Sequence, residues 1–129
     1  MLVVDASVMA PIVADGGGDG DRYRARIRGQ ELAVPDLLRI EVTSVLRRQL
    51  GVGTIDHTQA VGALDDLLAL PLVVYPTAPL LRRAWALRDD LTAYDACYVA
   101  LAELLDCTLL TADVRLSRAP GIRCTVQVP

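Results

Sequence analysis

The chain contains no lysine; all 13 of its basic residues are arginine. Receiver domains and haloacid-dehalogenase-like phosphatases, which also set acids at strand ends, rely on a lysine beside them. Its absence argues against that class. Histidine occurs once, as His57 in the polar opening of a helix, and there is no G-x-S-x-G segment. A Ser-His-Asp hydrolase would rest on that one surface residue. Cys97, Cys107 and Cys124 are odd in number, show no C-x-x-C spacing and sit in apolar surroundings. They are expected to be reduced core thiols, not metal or redox groups. No apolar run approaches the ~18 residues of a membrane span. The start, "MLVVDASVMAPIVA", lacks a basic region and carries Asp5 in its middle, which argues against a signal peptide. The cytoplasm is the expected location, with no membrane association.

What is present is a chain of 129 residues, 53% of them apolar. That suffices for one domain, spanning 1–129, with its own core. Net charge is -3 and the isoelectric point about 5.0. No global positive field attracts nucleic acid, so such a substrate would need local arginines or metal ions to offset its charge.

Short apolar runs alternate with helical patterns. "MLVVD", "LAV", "LVVY", "CTLLTAD" (running into a turn) and "IRCTVQV" read as strands. Between them fall "SVMAPIVAD", "DRYRARIRG", "PDLLRIEVTSVLRRQLG", "IDHTQAVGALDDLLAL", "APLLRRAWALRDD", "LTAYDACYVALAELL" and a short "VRLSRA", all read as helical. "GGGDG" reads as a flexible turn, Asp36 as an N-cap and Gly51 as a helix stop. This alternation predicts a three-layer α/β/α domain with a central, mostly parallel sheet.

In such a sheet ligands bind beyond the carboxyl ends of the strands. Asp5 closes the first strand, and Asp113 lies just past "TLLT". Asp95 opens a helix whose N-terminus can face the same edge. Glu41 sits on a stripe with Leu37 and Val45, four residues to either side, where a glutamate is costly unless compensated. Each acid has a plainer explanation. Asp5 and Asp113 suit helix caps, Asp95 a capping box with Thr92, and Glu41 the wet edge of its stripe. Four such coincidences at one rim are harder to accept. Converging carboxylates stay ionised together only if a cation joins them, and hard oxygen ligands suit Mg²⁺ or Mn²⁺.

"VVDAS", "PDLLRIEV", "LTAYDACYVALAE" and "LLTAD", in that order and spacing, resemble the PIN domain, and most of all the VapC-type toxins of bacterial toxin–antitoxin pairs. The resemblance covers essentially the whole chain. It implies an endoribonuclease dependent on Mg²⁺ or Mn²⁺, with Asp5, Glu41, Asp95 and Asp113 as catalytic and metal-binding acids. Ser7 and Thr111 match hydroxyls that support the metal site. It also implies an RNA substrate, a cognate antitoxin and a homodimer. Hydrolysis by a metal-activated water should leave a 5′-phosphate and a 3′-hydroxyl. A housekeeping RNA-processing PIN nuclease and a catalytically silent partner-binding module are the alternatives. Arg22, Arg24, Arg26 and Arg28 form one candidate RNA grip, and Arg82, Arg83 and Arg88 another, although a solvated helix face is the better reading of each residue. Trp85 and Tyr94 are expected in core or dimer packing before base stacking.

Overall fold

A computed structural model describes residues 1–129. Val3 and Val4 are fully buried, as the apolar run "LVV" requires of a central strand. This strand, β1 (Leu2–Val4), turns directly into α1 (Ala6–Ala14), with Asp5 as N-cap. Helix α2 (Gly18–Ile27) leads to β2 (Leu32–Pro35), α3 (Leu38–Gly51), α4 (His57–Ala69) and β3 (Leu72–Tyr75). A 3₁₀ turn, Ala78–Leu80, feeds α5 (Leu81–Ala86), and α6 (Ala93–Leu104) follows. β4 (Thr108–Leu110), α7 (Val114–Ser117) and β5 (Val126–Gln127) complete the chain.

All strand pairs are parallel, in the order β3-β2-β1-β4-β5. Helix α6 lies on β1, β2 and β4 with α5 beside it, while α1 packs with α2, α3 and α4. The result is the three-layer α/β/α architecture expected from the alternation. The chain leaves β1 toward β2 on one side and later returns to β4 on the other. The order therefore reverses between β1 and β4, where open sheets form their binding crevice.

Several local expectations change. Asp36 does not cap α3: Leu37 holds that position without a side-chain bond, and the Asp36 N–H donates to the Tyr75 carbonyl at 2.9 Å, prolonging the β2–β3 ladder. Helix α3 runs through Gly51, and the left-handed stop comes at Gly53, φ +80°. The glycine turn is shorter than expected, because α2 already begins at Gly18. The Asp15 carboxylate accepts from Gly17 N at 2.7 Å and Gly20 N at 3.2 Å. A Cβ at Gly20 would lie 2.0 Å from the Asp15 carbonyl oxygen, so glycine is required there. "APLLRRAWALRDD" divides into the 3₁₀ turn and α5, and the last strand shrinks to two residues. No helix is long and apolar enough to cross a membrane.

Candidate active site

Asp5 is 5% exposed at the carboxyl end of β1. Its Oδ1 accepts from Ser7 Oγ at 2.6 Å, Ser7 N at 3.1 Å and Val8 N at 3.3 Å. Its Oδ2 accepts from Thr111 Oγ1 at 2.5 Å. Each hydroxyl also accepts from the turn after β4: Ser7 Oγ from Ala112 N at 2.9 Å, and Thr111 Oγ1 from Asp113 N at 3.1 Å. Ser7 and Thr111 thus pin Asp5 and staple α1 to β4. Burial pushes the Asp5 carboxyl above the usual range, against the pull of these donors, and the charge of Asp95 pushes the same way.

Glu41, in the first turn of α3, accepts from the Tyr98 hydroxyl at 2.6 Å. Desolvation raises its pKa most, Tyr98 lowers it, and Asp95 and Asp5 raise it further. Asp95 sits in the first turn of α6, where the Thr92 hydroxyl accepts from its N–H at 3.2 Å. Burial and then Asp113 raise the Asp95 pKa, while Thr92 and Arg115 lower it. Asp113 differs. It caps α7 through Arg115 N at 2.9 Å, and the Arg115 guanidinium holds its carboxyl below the usual range. The plain capping role is therefore real for Asp5 and Asp113. Asp95 instead receives the cap from Thr92.

A cavity of about 230 Å³ opens beside Asp95 and Asp113, with Thr92, Asp90 and Arg115 in its wall. Asp5 and Glu41 both feel Asp95, which feels Asp113, so the four acids form one electrostatic cluster. No three acidic, cysteine or histidine side chains are drawn close enough to cage a metal as they stand. The donor set nonetheless suits a hard divalent cation. It consists of carboxylates alone, half-buried or deeper at Asp5, Glu41 and Asp95, whose repulsion a cation would relieve.

The PIN domain family model matches residues 2–122. The chain belongs to the PIN-domain family. "VapC ribonuclease Mb0985" of Mycobacterium bovis is 40% identical over 129 residues, covering 99% of this chain and 98% of that protein. "Ribonuclease VapC1" of Mycobacterium tuberculosis is 40% identical over 130 residues, covering 98% and 96%. Among solved structures, Mycobacterium tuberculosis VapC20, described as a sarcin–ricin loop cleaving toxin, superposes with a TM-score of 0.72 at 19% identity, covering 95% and 97%. That last likeness is one of fold.

Two residues of this PIN domain escaped the reading of the sequence. Tyr98 is buried in the apolar run of α6, and only its hydroxyl betrays the site. Arg115 sits at the cavity mouth, two residues past Asp113. The arginines singled out earlier are mostly engaged elsewhere. Arg22 pairs with Asp19, and Arg24 with Asp21 and two backbone carbonyls. Arg83 binds Glu103 and the Gly121 carbonyl, and Arg88 lies over the Trp85 ring at 4.7 Å. Trp85 and Tyr94 are exposed, not core residues. The cysteines are free, with Cys97 buried and the other two half-buried.

Proposed function

We propose that this PIN domain is an endoribonuclease dependent on Mg²⁺ or Mn²⁺, acting in the cytoplasm as the toxin of a toxin–antitoxin pair. The observation that carries the reading is the placement of Asp5 and Asp113 at the carboxyl ends of the adjacent strands β1 and β4, with Glu41 and Asp95 in the first turns of α3 and α6. Full-length likeness to proteins named VapC ribonucleases supports it.

Asp5, Glu41, Asp95 and Asp113 would hold the cation. When bound, it supplies the Lewis acidity that activates water and stabilises the leaving oxygen of the phosphodiester. The protein's own part is positioning. Ser7, Thr111 and Val8 lock both oxygens of Asp5 in place. Asp95 lies at a helix N-terminus, which favours the ionised carboxylate a cation needs. Arg115, exposed at the cavity mouth, is the cation best placed to meet an RNA phosphate. A side-chain nucleophile is not required, and the products are expected to carry a 5′-phosphate and a 3′-hydroxyl.

An acidic groove is best silenced by a cationic side chain. The cognate antitoxin is therefore expected to place an Arg or Lys near Asp5 and Asp95, and replacing that residue with Ala should release nuclease activity. Self-association as a homodimer is also expected, with exposed Leu81 and Trp85 of α5 among the apolar residues available to it.

The test is RNA cleavage by purified protein with Mg²⁺, with Mn²⁺ and with EDTA, followed by sequencing of the RNA ends. Cleavage should require the cation. Undiminished cleavage in EDTA would refute the metal-dependent reading. A housekeeping nuclease would cleave yet leave growth unharmed on induction. A silent module would neither cleave nor take up the cation.

A further inference from the structure

Tyr98 is 1% exposed and lies one turn after Asp95 on α6. Its hydroxyl donates to Glu41 Oε1 at 2.6 Å across a sequence separation of 57 residues. The other side-chain hydrogen bonds of α3, from Thr43 to Arg39 and from Arg48 to Ser44, stay within that helix. Helix α3 packs on α1 and α4, so the Tyr98–Glu41 bond is its one side-chain hydrogen bond across to α6. Burial, the hydrogen bond to Glu41 and the charges of Glu41, Asp5 and Asp95 all push the Tyr98 hydroxyl's pKa up, so it stays a donor.

A glutamate is long and flexible, and Glu41 is only partly buried. Repelled by Asp5 and Asp95, an untethered Glu41 would swing toward water. A buried tyrosine, its ring fixed by packing and its hydroxyl in need of a partner, opposes that swing. No protein donor bonds the other Glu41 oxygen, Oε2. We infer that Tyr98 is a positioning residue for the cation site: its hydroxyl holds Glu41 Oε1 and leaves Oε2 as the oxygen that would be available to a divalent cation. The inference rests on the metal-dependent reading above.

The experiment titrates Mn²⁺ into the full-length chain by calorimetry, without RNA. Tyr98→Phe keeps the ring and its packing and removes only the donor. Its Mn²⁺ Kd should rise about tenfold or more, the scale on which partners of metal-binding side chains act. Cleavage should recover substantially at saturating Mn²⁺, with KM for RNA unchanged. In a Glu41→Gln background the same substitution should change Mn²⁺ affinity no further. Glu41→Asp, too short to reach the hydroxyl, offers a second route: it too should bind Mn²⁺ more weakly. Unchanged Mn²⁺ affinity in Tyr98→Phe with a lowered melting temperature would make Tyr98 merely structural and overturn the inference. So would an equal weakening in the Glu41→Gln background. If the wild-type chain takes up no Mn²⁺, the metal-dependent reading itself fails and this inference fails with it.

Discussion

Helix α6 carries a buried or half-buried acid near each end, and the two are treated in opposite ways. At its far end Glu103, with a side chain 13% exposed, meets Arg83 in a two-pronged ion pair and accepts from Arg123 N at 2.8 Å. These partners outweigh the desolvation that opposes them and lower its pKa. At its near end Asp95 shares a cavity wall with Asp113, and burial and the Asp113 charge raise its pKa, as burial and the Asp95 charge raise those of Asp5 and Glu41. The chain thus supplies arginine where an acid serves the fold. At the rim the only cation paired with a site acid is Arg115, on Asp113. The near end thus keeps repelling acids at some cost to stability, which the proposed cation would offset.

The contrast can be broken most severely at Asp95. Asp95→Asn removes the charge and keeps the size. It should lose roughly 100-fold or more in RNA cleavage, the scale of failed positioning and charge stabilisation. Without metal it should melt at or above the wild-type temperature, because repulsion is relieved. An active mutant that melts lower would mark Asp95 as a helix residue only.

The matching change at the far end should do the reverse. Glu103→Ala leaves Arg83 and the Arg123 N–H without their partner. It should cost about 1–3 kcal/mol in denaturant unfolding, toward the low end because Arg83 keeps contact with water. Metal-dependent cleavage by the folded protein should hardly change.

Acidity sharpens the comparison further. Asp5, Glu41 and Asp95 have folded pKa values above their ordinary 3.8, 4.5 and 3.8. Their contribution is fully present below those ordinary values and is lost as pH rises through the raised folded ones. Glu103 and Asp113 are lowered, so theirs is present above 4.5 and 3.8 respectively and lost only as pH falls through the lowered folded values. The metal-free melting temperature should therefore fall as pH climbs from about 4.5 toward neutrality, and Mg²⁺ should flatten that decline. A metal-free chain that grows more stable over this interval would contradict the rim electrostatics.

The smallest effect is expected at Thr92. Thr92→Ala removes the cap on α6 and should cost about 0.5–2 kcal/mol while sparing most cleavage. Thermal unfolding and an RNA assay, run together, check it.

How much of this was legible in the residues follows from what each one does. Asp5 and Asp113 sit at strand ends, and a parallel sheet brings its strand ends to one edge. Glu41 was betrayed by its apolar neighbours Leu37 and Val45, although the structure puts all three at the edge of the buried stripe Leu38–Val42–Leu46. Tyr98 was not legible, because its ring belongs to the core and only its hydroxyl faces the site; no pattern in α6 distinguishes that from ordinary burial. Arg115 was hidden by its exposure, which makes it look like any solvated arginine. Asp36 misled because its N–H extends the sheet where a cap was expected, a tertiary demand that local sequence does not carry. The arginine cluster of α2 follows its plainer reading as a helix face, since Asp19, Asp21 and backbone carbonyls occupy Arg22 and Arg24.

The central claim is that the rim acids hold a divalent cation that the far end of α6 does not. Calorimetric titration of Mn²⁺ into wild-type, Asp95→Asn and Glu103→Ala protein, without RNA, tests it most directly. Saturable binding should appear in the wild type, persist in Glu103→Ala and be largely lost in Asp95→Asn. Binding that survives Asp95→Asn undiminished, or that is absent from the wild type, would contradict it.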